Sequence, residues 1–325
     1  MAFKFLMKLC LLFVIAPVVS CKTEDRLADQ IAKNNTDIKV ERFDKLFAEV
    51  TPETLGGVKK NYPFMFSNQY PDDFWLEKKS DSLQQVLFRE VDRSFKNFEP
   101  TEFEIESLYN HLKHYFPDFH TPRVITVTND VDYRNRVIVT DTIDLIALDA
   151  YLGSDHRFYS NIPMYLRADL KKEHIVVDLA TAYSEKYIFQ AKRKSLLDEM
   201  IYFGKQLYFK DLMIPFKSEA ERMGYSQQEL GWAEANESMI WRYFIENELL
   251  YSTDSKLPTR FINPAPFSKF YLEGIDGNSP GRIGQYMGWQ IVRSYMEHND
   301  DVPLKDMLIK SSEDIFNNSK FKPRK

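Results

Sequence analysis

Apolar residues recur along this chain at two different spacings, and the change of spacing divides it. From Asp81 to Phe98, the residues Leu83, Val86, Leu87, Val91, Phe95 and Phe98 return every three or four positions. That is the period of one helix face, so the segment reads as an amphipathic helix. Glu104 to Phe116 repeats the pattern, and Pro117 stops it. Between Arg123 and Leu148 the character changes. Arg123–Thr128, Arg136–Thr140 and Thr142–Leu148 are rich in β-branched residues and separated by short polar turns, which predicts an antiparallel meander. Ile38 to Phe43 is a candidate first strand. Beyond Tyr165 the helical period returns, with helices expected near 174–189, 193–210, 219–223, 227–249, 281–297 and 303–316. A small, mostly antiparallel sheet wrapped by a larger helical body is an α+β fold. No linker divides residues 38–325, which read as a single domain.

The first residues follow a third pattern. Lys4 and Lys8 make a basic start, Leu9 to Ala16 is apolar, and Pro17, Val18, Val19 and Ser20 lead to Cys21. The apolar run is too short to cross a bilayer, and the charge order is that of an export signal. A cysteine at such a junction is the acceptor for diacylglycerol in bacterial lipoproteins. Residues 1–20 therefore read as a signal peptide and Cys21 as the lipidation site, although Val18 and Val19 are bulkier than usual there. The alternative is a plain secretory signal with a chance cysteine. The only other cysteine, Cys10, lies inside the signal, so the exported chain can form no internal disulfide. Residues 22–37 are polar and read as a tether between lipid and fold.

Composition narrows the function. The formal charge of -5 becomes -7 once Lys4 and Lys8 leave with the signal, and such a chain offers no basic footprint for nucleic acid. Phe, Tyr and Trp number 25, 18 and 4 against 11 Gly, which favours helices with wide apolar faces over a turn-rich sandwich. The sequence holds no His-Glu-x-x-His run for zinc. His111 and His114, three apart on a helix, with His120 following, would allow a surface metal site. No carboxylate is placed to orient either ring, and no metal or other cofactor is expected. Gly277–Gly284 is a turn entering a helix without the Gly-Lys-Ser/Thr of a phosphate loop, and Gly284 and Gly288 suit close helix packing. Two acids stand out. Glu237 falls on the apolar stripe formed by Leu230, Ala233, Ile240, Trp241 and Phe244. It is either one half of a buried ion pair, with Arg282, Arg242 or Arg293 as partner, or the remnant of a site. Glu199 shares that ambiguity.

Four segments together resemble the gliding-motility lipoprotein GldB family of Bacteroidota: Asp149–Gly153, Asp198–Phe209, Trp232–Trp241 and Ser279–Val292. Their order and spacing carry the resemblance, which extends from the cysteine junction to about residue 300. It implies a cell-envelope lipoprotein at the outer membrane, required for gliding and tied to type IX secretion through protein partners. It also implies a distant similarity to zincin-type proteases, here without their ligands. The reading that follows is a non-catalytic, lipid-tethered component acting by protein contact. The alternative is an exported hydrolase with a site near Glu199, Glu237 and Arg282. Lys22, Thr23, Glu24 and Asp25 resemble a surface-export signal, and they leave the surface and periplasmic faces both open.

The anchor yields the first prediction. One acyl chain holds a protein to a membrane only marginally, whereas two or more hold it stably. Changing Cys21→Ser is expected to release the protein or leave an uncleaved precursor, and to stop motility. Full retention of the variant in carbonate-washed membranes would refute lipidation at Cys21.

Overall fold

The computed structural model describes residues 28, 30–190 and 194–325. The signal at 1–20, Cys21 and the first part of the tether lie outside the described residues. The remainder of the tether lies on the fold. Ile31 and Thr36 are buried, and the Asn34 amide donates to the Asn110 carbonyl at 2.8 Å.

The chain enters strand β1 (Val40–Arg42) and continues through α1 (Phe43–Ala48), α2 (Pro52–Asn61), α3 (Asp72–Ser80), α4 (Ser82–Ser94) and α5 (Glu99–Tyr115). Asp81 caps α4, its carboxylate accepting the Leu83 and Gln84 amides. Strands β2 (Arg123–Val127), β3 (Val137–Val139) and β4 (Ile143–Ala147) follow, then α6 (Met164–Arg167), α7 (Ile175–Tyr187) and α8 (Leu196–Met213). The remaining helices are α9 (Glu219–Met223), α10 (Gln227–Ala235), α11 (Glu237–Glu246), α12 (Leu257–Phe261), α13 (Ile283–His298), α14 (Leu304–Ile309) and α15 (Ser312–Ser319). The α+β class is as the apolar spacing predicts.

Strand pairing differs from the expected meander. The sheet order is β1-β2-β4-β3. β1 and β4 both run parallel to β2, and only β3 and β4 are antiparallel. The link after β2 carries the chain past the place of β4, which then returns between β2 and β3. The burial of β2 has the same logic. Val124, Ile125 and Thr126 are buried in succession, as in a central strand covered on both faces. Val124 joins the large core with α5, α7, α8 and α13. Ile125 faces the smaller core of Phe43, Phe47, Phe66 and Phe88. The outer edge of β1 is closed by α5, since the Ile38 and Val40 amides donate to Glu106 and Glu102, each at 3.2 Å.

The expected helix at 227–249 is two helices broken at Asn236, whose amide folds back onto the Trp232 carbonyl. That at 303–316 is likewise broken, where Ser311 caps α15 through the Asp314 amide. Among the described residues, no helix is long and apolar enough to cross a membrane.

Helices α8 and α13 meet backbone to backbone. A Cβ on Gly204 would stand 2.3 Å from the Gly288 carbonyl oxygen, and one on Gly288 would stand 1.7 Å from that of Met200. Only glycine fits. Gly288→Ala is therefore expected to destabilise the protein by about 3 kcal/mol, the upper part of the overpacking range. Gly231→Ala is the control: it lies in α10 with nothing within 4 Å, and should stabilise by about 0.5–1 kcal/mol. Denaturant midpoints measure both, and equal effects at the two positions would contradict the close crossing.

Candidate functional site

The three residues singled out from the sequence have separate partners. Glu199, half-buried in the first turn of α8, pairs with Lys194 at 3.6 Å. Glu237, only 2% exposed at the start of α11, accepts the Tyr286 hydroxyl at 2.9 Å and the Arg324 backbone amide at 3.0 Å. The Arg324 guanidinium lies 3.8 Å from the same carboxylate. Arg282 caps α13 with φ 59°, donates to the Gly224 carbonyl at 2.5 Å and lies over the Tyr225 ring. Glu237 thus has none of its expected partners. Arg293 is committed to Asp211 at 2.7 Å and to Glu219 at 3.1 Å, while Arg242 is exposed. The actual partners stand 49 and 87 positions along the chain, beyond the reach of any local pattern.

The histidines are also placed. His111 Nδ1 bonds the Ser107 carbonyl oxygen, and burial holds the ring below its ordinary pKa. His120 Nδ1 bonds the carbonyl oxygen of Asp118. Among the described residues, no three of His, Cys, Asp and Glu come together as a set that would hold a metal.

Between α7, α8, α9 and α13 lie buried charges. Asp178 takes both arms of Arg136 at 2.6 and 2.7 Å and the Tyr151 hydroxyl at 2.7 Å. Burial alone would raise its pKa, but the Arg136 charge and hydrogen bonds hold it below the ordinary value. Asp211 gathers Trp289, Arg293 and Arg222. Burial pushes Lys210 down to about 8, its Nζ donating to the Arg222 carbonyl.

A different place offers open space. At the carboxyl ends of β2 and β4, a cavity of about 280 Å³ lies between the sheet and α1, α3 and α4. Phe43, Phe47, Phe66, Trp75 and Phe88 wall it, with Asn129 and Asp132 from the β2–β3 loop. That loop holds Asp130 and Val131 at φ 60°, a conformation that a β-branched residue rarely adopts. Asp149, just beyond β4, secures it. Its buried carboxylate accepts the Asn129 amide with both oxygens at 3.1 Å and the Val131 amide at 2.8 Å. The apolar pattern does not reveal this site. Its available signal is an aspartate, Asp149, two residues beyond the strand Ile143–Ala147.

Burial raises the pKa of Asp149 to about 6, against the ordinary 3.8, and the amide hydrogen bonds offset only part of this. Between those values the folded protein holds a proton that the unfolded chain has lost, so this group's contribution to stability falls as pH rises. Relative to Asp149→Asn, wild-type stability is expected to fall by about 3 kcal/mol between pH 3.8 and about 6, then level off. Denaturant unfolding of both proteins across that range measures the difference. A pH-independent difference would show that Asp149 titrates normally.

No curated protein and no solved structure matches the chain. A family model described as gliding motility protein GldB matches residues 24–323. That match spans nearly the whole sequence and takes in the sheet, both cores and the helical body, so the chain belongs to the GldB family of gliding motility proteins.

Proposed function

We propose that this protein is a lipid-anchored component of the cell envelope, held through Cys21 at the outer membrane, that serves gliding by protein contact in association with the type IX secretion apparatus. Family membership supports the role in gliding. One observation favours contact over a hydrolase built on Glu199, Glu237 and Arg282. Each of the three is engaged in a different structural contact, with Lys194, with Tyr286 and Arg324, and with Gly224. A general acid and base must reach the same substrate atoms. These side chains instead tie helix ends and the C-terminal segment together.

Glu237→Gln tests this reading. The glutamine keeps one acceptor oxygen but replaces the other with an amide nitrogen facing donors, and should cost about 1–3 kcal/mol. Motility of cells carrying the variant is expected to follow the amount of folded protein, and Glu199→Gln is expected to leave both unchanged. Motility lost at normal abundance and thermal stability in both variants would favour the hydrolase.

A further inference from the structure

The segment that leads into β1 runs along α5 in the opposite direction. The backbone amides of Val40, Ile38 and Thr36 donate to the side chains of Glu102, Glu106 and Asn110, and the Asn34 side chain donates to the Asn110 carbonyl. Each step back along the segment is a step towards the carboxyl end of α5. The buried Ile31 therefore starts the docked part at that end.

A cavity of about 710 Å³ opens there. Phe116 and Phe119, just past α5, line it with Tyr187 at the end of α7 and Ile309 at the end of α14. His120 and Asp141 line it too. They shortly precede β2 and β4, so the cavity lies at the amino ends of the parallel strands, where β1 also begins. Two large apolar side chains stand in solvent on this face. Ile309 is 61% exposed and Phe189 is 62% exposed, on adjoining segments joined by the Phe189 amide and the Leu308 carbonyl. The lining carries Lys186 and Lys305 against Asp118, Asp141 and Asp306. Lys186 pairs with Asp141 and Lys305 with Asp118, so the face is close to neutral and offers an anionic surface no attraction.

The length of the tether decides what this face meets. Cys21 and Ile31 are ten positions apart. Ten residues span at most about 36 Å when extended, and about 17 Å on average when flexible. A body of about 290 residues is roughly 50 Å across. With a lipid on Cys21, the carboxyl ends of the strands cannot rest on the same bilayer, because Ile31 would then stand further away than the tether reaches. The amino ends can. Exposed apolar side chains enter the headgroup region weakly by themselves, and a tether raises their effective concentration there. Tyr187, an apolar ring with a polar tip, suits the same boundary.

We propose that the amino ends of the strands form the membrane-facing side of the domain, where Phe189 and Ile309 dip into the headgroup region of the bilayer that holds Cys21. This rests on the anchoring at Cys21 proposed above and names the face that it brings to the lipid.

The test uses the lipidated mature chain in vesicles of phosphatidylcholine and phosphatidylethanolamine. Phe189→Cys, Ile309→Cys and Leu83→Cys each take a thiol-reactive fluorophore, and nitroxide-bearing lipid is the quencher. Leu83 is the control: it is 74% exposed, next to Gln84, which bonds Thr128 just beyond the carboxyl end of β2. Labels at 189 and 309 are expected to be quenched about threefold more strongly than the label at 83. Phe189→Glu should about halve the quenching at 309, with thermal unfolding unchanged because position 189 is exposed. High salt should leave the quenching as it is, since the face is close to neutral. Equal quenching at all three positions, stronger quenching at 83, or loss of quenching in salt would overturn the proposal. Self-quenching between copies labelled at 189 or 309, without quenching by lipid, would reassign the face to a second copy. Labelling of the parent chain, whose one mature cysteine is Cys21, would overturn the anchor reading and the face with it. With Cys21 blocked, equal quenching overturns the face alone.

Discussion

The backbone contact between α8 and α13 at Gly204 and Gly288 is the constraint on which the rest of the helical body depends. Helices usually pack with side chains between them, at interaxial distances of roughly 8–10 Å. Here two glycines remove that layer. The approach brings the Trp289 indole within 2.8 Å of Asp211 on α8, and stacks the Arg293 guanidinium on that indole while it bonds the same acid. One turn earlier on α13, Tyr286 reaches Glu237, which in turn holds Arg324 near the C-terminus. On α8, Lys205 reaches the carbonyls of Leu308 and Lys310 and holds the turn between α14 and α15. A methyl group at either glycine would displace all of these together.

The charges inside the body follow from that crossing. Burying an ion costs several kcal/mol unless geometry and hydrogen bonds compensate. Asp178 and Asp211 meet this condition with bidentate arginines and further donors. Lys205 and Lys210 meet it only with carbonyl oxygens, and burial accordingly lowers both to about 8. The buried polar groups therefore specify which helix end meets which. That is a structural use of charge, and it accounts for acids on apolar stripes without assigning them chemistry.

The other face of the sheet is built differently. There the cover is the aromatic cluster of α1 to α4, and open space lies at the carboxyl ends of β2 and β4. In sheets with parallel strands this end is where connecting loops diverge and leave a crevice. The chain enters β1 at the opposite end, after the segment docked on α5.

Most helix positions from α4 onward, the α+β class and the family resemblance were legible in the sequence, because each rests on local order: apolar residues at helical spacing, β-branched runs, and segments in a fixed sequence. Close packing at Gly288 was legible too, since scarce glycines within an apolar helix have few other uses. Helices α1 to α3 lack a strong apolar period and were not legible. Strand pairing required the tertiary structure, because β-branched runs joined by short turns satisfy a meander and a mixed sheet equally well. What decided between them was the burial of both faces of β2. The partners of Glu237 likewise lay far along the chain, where an apolar stripe identifies a buried acid without saying what meets it. The cavity at the strand ends was the least legible part. Its walls come from α1, α3, α4 and the β2–β3 loop, and its shape exists only once Asp149 has closed that loop against the end of the sheet.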